Sequence, residues 1–193
     1  MLKRLFVSTV RVNILKLLLS NSNKGYHVRA IVRAVDAEIN AVRRELENLY
    51  KIELVTRRQS SNRIYYKINP EHKYFYDLLS LFSKDTGFGH KIIRNKKKIG
   101  EINFAVLSNK FLKGIQSTAL EVDFFIVGNI DKEVTQKIIK DHENITDREI
   151  NFAFMSKDEF VSRKRTKDSF VMTILSQGNS ILMGDPEEFY SLF

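Results

Sequence analysis

The sequence contains no cysteine. That absence excludes disulfides, thiol nucleophiles and every zinc site built on thiolate ligands. Histidine is scarce as well, and the four present, His27, His72, His90 and His142, stand apart without ligand spacing, so no structural metal is expected. No apolar run approaches the ~20 residues that cross a bilayer, and no membrane helix or membrane partner is expected. The N-terminal stretch Met1 to Phe6 carries Lys3 and Arg4, but no apolar segment with a small-residue cleavage site follows it. The expected location is therefore cytoplasmic. Internal repeats and low-complexity tracts are also missing. What is present, 193 residues of which 43% are hydrophobic, suffices to bury a core in one mid-sized domain or two small ones.

Negative charge is sparse in one half only. Residues 1–99 carry 21 Lys and Arg against 8 Asp and Glu, whereas residues 100–193 carry 11 against 15. Such asymmetry gives the N-terminal half an electrostatic task, with nucleic acid or an anionic membrane surface as the ordinary candidates. The motifs favour nucleic acid.

Val12, Leu15, Leu18 and Leu19 recur at helical spacing between Ser8 and Ser20, with Ser8 available as an N-cap. A second helix is predicted over 28–35, with Val28, Ile31, Val32 and Val35 on one face. After the break Asp36-Ala37-Glu38, a third is predicted over 38–50. Its apolar stripe is Ile39, Val42, Leu46 and Leu49, and Asn40, Arg43, Arg44, Glu47 and Lys51 lie opposite. The rhythm is helix-turn-helix. Glu53 to Arg58 and Arg63 to Ile68 read as two strands joined by a turn at Gln59-Ser60-Ser61-Asn62, a hairpin with arginines at its tip. A further helix over 71–83 carries a large apolar face of Tyr74, Phe75, Leu78, Leu79, Leu81 and Phe82. Asp85-Thr86-Gly87-Phe88-Gly89 reads as a linker, and a basic helix near 90–99 follows. From residue 100 the pattern alternates: strands at 102–107, 120–127, 149–154 and 180–183, and helices at 132–142, 157–163 and 169–175. The Ser156-Lys157-Asp158-Glu159 capping box starts the 157 helix. The expected fold class is α+β with α/β character, the second half being a mixed sheet with helices packed on it.

Residues 1–70 resemble the winged helix-turn-helix domains of small transcriptional regulators. The resemblance rests on Tyr26-His27-Val28-Arg29, on Val42-Arg43-Arg44-Glu45-Leu46-Glu47-Asn48-Leu49, on Leu54-Val55, and on Ile64-Tyr65-Tyr66-Lys67-Ile68-Asn69. One departure is the turn, where Asp36-Ala37-Glu38 stands in place of the usual glycine and capping Ser or Asn. The chemistry points the same way, because a helix fits the major groove and Asn and Arg make two-pronged hydrogen bonds to adenine and guanine. Asn40, Arg43 and Arg44 occupy those positions, and Arg57, Arg58 and Arg63 flank the wing turn, where arginines hold phosphates. Regulators of this kind commonly dimerise through a helix after the wing, and Tyr74, Phe75, Leu78, Leu79 and Phe82 fit that use. Packing within the chain itself is the alternative for this face. The expected partners are double-stranded DNA and a second copy of the chain.

From Gly100 onward the chain resembles the minimal nucleotidyltransferase fold. Phe104-Ala105-Val106-Leu107-Ser108-Asn109, Gly114 and Glu121-Val122-Asp123-Phe124-Phe125-Ile126-Val127-Gly128 stand at its first positions, with Arg148-Glu149-Ile150-Asn151-Phe152 and Ser180-Ile181-Leu182-Met183-Gly184-Asp185 further on. In active members, carboxylates one residue apart on a strand hold divalent ions over a nucleoside triphosphate. Glu121 and Asp123 keep that spacing. Ser108-Asn109 replaces Gly-Ser, however, and Asn151 and Ala153 stand where a third carboxylate belongs, so the catalytic set is eroded. No catalytic residue is assigned, and at most a weak, vestigial Mg²⁺ site is expected at Glu121 and Asp123. Arg163-Lys164-Arg165-Thr166-Lys167 reads as a solvated loop. The expected organisation is a DNA-binding domain over 1–84, a linker with connecting helix over 85–99, and the nucleotidyltransferase-like domain over 100–193. The expected function is a DNA-binding transcriptional regulator, with a nucleotidyltransferase acting on a protein or small molecule, or an antitoxin-like partner of a second protein, as alternatives.

Overall fold

The Ser8 hydroxyl accepts the Arg11 amide at 3.2 Å and starts the first long helix. The computed structural model describes residues 2–191, and the fold is α+β. The chain divides between Asp85 and Thr86 into two units. The first comprises α1 (Leu2–Leu5), α2 (Thr9–Leu19), β1 (Tyr26–His27), α3 (Val28–Val35), α4 (Ile39–Lys51), β2 (Val55–Ser60), β3 (Arg63–Ile68) and α5 (Phe75–Asp85). Its three helices α2 to α4 bury the stripes that the periodicity marks: Val12, Leu15 and Leu18, then Ile31 and Val35, then Val42, Leu46 and Leu49. Asp36 ends α3 in the left-handed conformation with φ 49°, where a glycine is usual, and the Glu38 carboxylate caps α4 by accepting the Asn40 and Ala41 amides at 2.7 and 3.0 Å. Local chemistry thus supplies the turn that the unusual Asp36-Ala37-Glu38 segment put in question.

The strands pair in the order β1-β3-β2. Tyr26 and His27 add a short strand beside β3, and His27 then caps α3 by accepting the Ala30 amide at Nδ1, 3.2 Å away. The hairpin turn is only Ser61-Asn62, because Gln59 and Ser60 continue the ladder opposite Ile64 and Arg63, and Ser61 takes the positive φ, 51°, that a tight turn requires. Only Arg63 is at the tip; Arg57 and Arg58 sit opposite Tyr66 and Tyr65 along the strand.

Burial favours packing within the chain over pairing for most of the expected dimer face. Phe75, Leu79 and Phe82 are 0, 3 and 2% exposed within the chain itself, and the Phe82 ring lies 6.0 Å from that of Phe6. Leu78 is half-buried, and only Tyr74 among the five is exposed. Pairing through this face would require pulling three core side chains out of the unit, at ~1.5–3 kcal/mol for each.

The second unit comprises α6 (Gly87–Arg94), α7 (Lys96–Ile99), β4 (Gly100–Ser108), α8 (Asn109–Leu112), β5 (Phe124–Ile130), α9 (Lys132–Thr146), β6 (Phe152–Met155), α10 (Lys157–Arg165), α11 (Ser169–Ser176), β7 (Asn179–Met183) and α12 (Pro186–Tyr190). Its mixed sheet runs β6-β5-β4-β7, with only β5 and β6 parallel. Alternation along β4 and β5 sends Ala105, Leu107, Phe124 and Ile126 to one face, with Phe88, Ile92, Ile99 and Ile139 over them. Phe104, Val106, Phe125 and Val127 face the other side, under Phe160, Val171, Ile174 and Phe189. The segment expected as a linker is instead the first helix of this unit. Gly87 opens the helix at φ 62°, a left-handed backbone that suits glycine, and Gly89 inside it costs about 1 kcal/mol, but Phe88 between them is 3% exposed and its ring meets Phe124 edge-on at 5.0 Å, a burial of ~1.5–3 kcal/mol that anchors the turn. Residues 86–99 thus belong to the second unit.

A buried ion pair ties α2 to α4. Glu45 lies on the apolar stripe of α4, its side chain 5% exposed, with Oε2 2.8 Å from Nε of Arg11. Burial works to raise its pKa, but hydrogen bonds from Ser8 and Arg11, with the charges of Arg11 and Arg44, hold it below the ordinary glutamate value. Glu45→Gln is expected to destabilise the chain by about 1–3 kcal/mol in urea unfolding, the low side of a broken buried pair because the Arg11 side chain is 36% exposed. A folded pKa below the unfolded one places this stabilisation above the ordinary glutamate range and removes it as pH falls through the folded value. The difference between parent and variant should accordingly shrink in acid; a constant difference would contradict the role given to the charge.

Candidate nucleic-acid interface

Three elements of the first unit enclose a groove of ≈ 930 Å³: the outer face of α3, the outer face of α4 and the hairpin. Arg29 and Arg33 stand four residues apart on α3, Arg43 and Arg44 come from α4, and Asn62, Arg63 and Ile64 come from the hairpin end. His27, Val28 and Tyr66 complete the lining with Glu47. Five arginines converge there and Glu47 is the single carboxylate. Helix periodicity explains the convergence: with Val42, Glu45, Leu46 and Leu49 turned inward, Arg43 and Arg44 must point out.

The six expected contact residues divide. Arg43, Arg44 and Arg63 line the groove, whereas Asn40, Arg57 and Arg58 are exposed outside its lining. Arg57 is held in place, its guanidinium 4.1 Å above the Tyr50 ring and 3.6 Å from the Glu47 carboxylate. Asn40 sits on the first turn of α4, where the Glu38 carboxylate already takes the free amides. The hydrogen bonds from Asn40 and Ala41 hold the Glu38 pKa below its ordinary value, so the charge at this helix end is negative. Arg29 and Arg33 were missed by the motif reading. Their signal was present in the four-residue spacing opposite Ile31 and Val35, but which outer face borders the hairpin is set by packing.

In the second unit the candidate carboxylates do not share a strand face. β5 begins at Phe124, and Glu121 and Asp123 lie in the preceding loop, where Leu120 is 90% exposed. Both Glu121 oxygens accept from Lys110 Nζ at 2.6 and 2.8 Å, and one accepts the Thr118 amide at 2.8 Å. The Lys110 bond first, then Thr118, pushes the Glu121 pKa down to about 2. Asp123 is 2% exposed and accepts the Ser117 hydroxyl and, at 3.1 Å, the Asn151 amide. Arg148 adds two donated hydrogen bonds, to the carbonyls of Phe111 and Ile115 at 2.9 and 2.7 Å, and stacks on the Phe111 ring at 4.1 Å. These groups clasp the loop over 113–123, and side-chain hydrogen bonds of this kind win locally over strand pairing. Both carboxylates accept hydrogen bonds from groups of the chain, and among the described residues no group of three or more His, Cys, Asp or Glu could hold a metal ion. Ser108 caps α8 through the Phe111 amide at 3.0 Å, and Asn109 accepts the Ser180 hydroxyl at 2.8 Å. The 163–167 cluster begins in the last turn of α10 rather than a loop: Arg163 pairs with Glu159 at 2.8 Å, and Lys164 is buried, donating to the Glu188 and Phe189 carbonyls at 3.0 Å.

No protein-family model matches the chain, and comparison with curated proteins and with solved structures gives no match. Among the described residues no helix is long and apolar enough to cross a membrane.

His142 on α9 packs against Phe88 at 5.3 Å between centroids, and its buried Nδ1 has no hydrogen-bond partner among the described residues. Burial, followed by the charges of Lys91 and Arg148, pushes its pKa down from 6.5 to about 4. The unfolded chain then binds a proton that the folded one refuses, so stability falls as pH drops from about 6.5 to about 4. Thermal unfolding across this range should show His142→Leu losing less stability than the parent; equal losses would show that another group governs the acid transition.

Proposed function

We propose that the first unit is a winged helix-turn-helix domain binding double-stranded DNA and that the protein is a transcriptional regulator. The observation that carries this reading is the groove in which Arg29, Arg33, Arg43, Arg44 and Arg63 converge with Glu47 as their single carboxylate. A duplex presents about one phosphate per 1.7 Å of axis, and clustered arginines release its counterions on binding. α4 enters the major groove, where Arg43 and Arg44 reach guanine edges, while Arg29, Arg33 and Arg63 hold the backbone on either side. Because Glu38 occupies the amides at the start of α4, phosphate binding falls to the arginines rather than to that helix end. In anisotropy titrations Arg43→Ala should cost about 1–3 kcal/mol on a selected site and relax choice at one base pair. Arg29→Ala or Arg63→Ala should weaken all sequences alike and lower the slope of log K against log salt by about 1. Variants that bind every duplex like the parent would refute the assignment.

The clasped loop of the second unit supports a non-catalytic role there. Metal-assisted nucleotidyl transfer needs ions against both attacking and leaving oxygens, and one lost donor in such a site costs ~10² to 10³ in rate. With Glu121 bonded to Lys110 and Asp123 to Ser117 and Asn151, incubation with labelled nucleoside triphosphates, Mg²⁺ or Mn²⁺ and cell extract should transfer no label. Label transferred by the parent and abolished by Asp123→Asn would make the second unit an enzyme.

A further inference from the structure

The basic surplus of the N-terminal half does not all belong to the DNA-binding unit. Lys91, Arg94, Lys96, Lys97 and Lys98 fall within eight residues of α6 and α7, in a stretch over 86–99 that contains no aspartate or glutamate. The remainder of the second unit, 100–193, has the opposite balance, 11 basic against 15 acidic residues. Phe88, Ile92 and Ile99 turn inward at 3, 0 and 0% exposure, which leaves Arg94, Lys96, Lys97 and Lys98 exposed and Lys91 half-buried. Among the described residues none of the five cations has a carboxylate within ion-pair distance.

Fold stability accounts for part of this. Lys91 and Arg94 lie in the last turn of α6, where cations complement the helix dipole. The run Lys96-Lys97-Lys98 falls in a helix of only four residues, too short for its dipole to account for three cations, and adjacent like charges without counter-charges oppose folding. A polyanion would relieve that repulsion. The strip also lacks what a membrane surface requires, since amphipathic membrane binding needs apolar side chains beside the cations, and here Phe88, Ile92 and Ile99 are committed to the core.

We infer that the α6–α7 strip is a second contact site for the sugar-phosphate backbone of double-stranded DNA, so that the second unit adds sequence-independent affinity to the first. This rests on the DNA-binding reading of the first unit. The strip carries no base-reading geometry and serves retention on the duplex rather than choice of site.

The test is a salt titration of full-length protein on random-sequence duplex. Lys96→Ala/Lys97→Ala/Lys98→Ala should lower the slope of log K against log salt by about 2–3 and weaken binding on the order of 50-fold at about 0.2 M salt. Discrimination between selected and random sites should be unchanged. Lys132→Ala/Lys137→Ala/Lys140→Ala on α9 removes the same net charge from exposed positions and should cost far less. Equal losses from the two triple variants would reduce the strip to general charge and overturn the inference. So would an unchanged slope in the α6–α7 variant while Arg43→Ala still weakens binding, or lost binding to phosphatidylserine vesicles with duplex binding intact. A parent chain that binds no duplex overturns the reading of the first unit as well.

Discussion

The orientation of α4 depends on one buried carboxylate. Glu45 sits in the stripe that Val42, Leu46 and Leu49 bury, and Arg11 of α2 reaches it at 2.8 Å. Hydrophobic contacts alone tolerate a helix rolling by part of a turn, whereas a buried charge tolerates no position without its partner. Successive helical residues are about 100° apart, so fixing Glu45 inward fixes Arg43 and Arg44 outward. The same pair holds α2 against α4, and α2 is also the helix against which α5 lies.

In the second unit the governing constraint is the sheet with both faces covered. Phe124 and Ile126 serve one core, Phe125 and Val127 the other, so β5 has no face left for solvent or ligand. Polar chemistry is pushed to the strand ends and loops. There Lys110, Ser117, Asn151 and Arg148 engage Glu121, Asp123 and the loop carbonyls between them. The residues that resemble a metal-binding pair are the residues that order a loop, because a carboxylate beside an ammonium and amide donors is satisfied before any cation arrives.

Charge is distributed on the same principle. Cations that pair within the chain, such as Arg11, Lys110 and Arg163, act in folding. Those in the α3–α4–hairpin groove, where Glu47 is the one carboxylate of the lining, and along α6–α7 make no ion pair among the described residues. Net charge alone does not separate the two groups; partners do.

Helices α2, α3 and α4 were legible in the sequence because their apolar spacing, Ser8 cap and short interhelical turn are local properties, and the hairpin and the capping box at Ser156 were legible for the same reason. The alternation of Phe104 to Leu107 and of Phe124 to Val127 likewise announced strands between two cores. Tertiary structure decided what local signals leave open. Gly87 and Gly89 read as a linker until Phe88 finds Phe124 and Phe111. Leu120 to Asp123 read as strand until donors from distant segments hold them in a loop. The aromatic face of α5 left pairing and packing within the chain both open, and its burial favours packing, while Arg29 and Arg33 joined the basic groove only through the packing of α3 beside the hairpin. The sequence by itself determined which residues are apolar, charged or able to cap, since these follow from composition and period. Which partner each side chain meets depends on contacts between residues far apart in the chain, and these exist only once the fold closes.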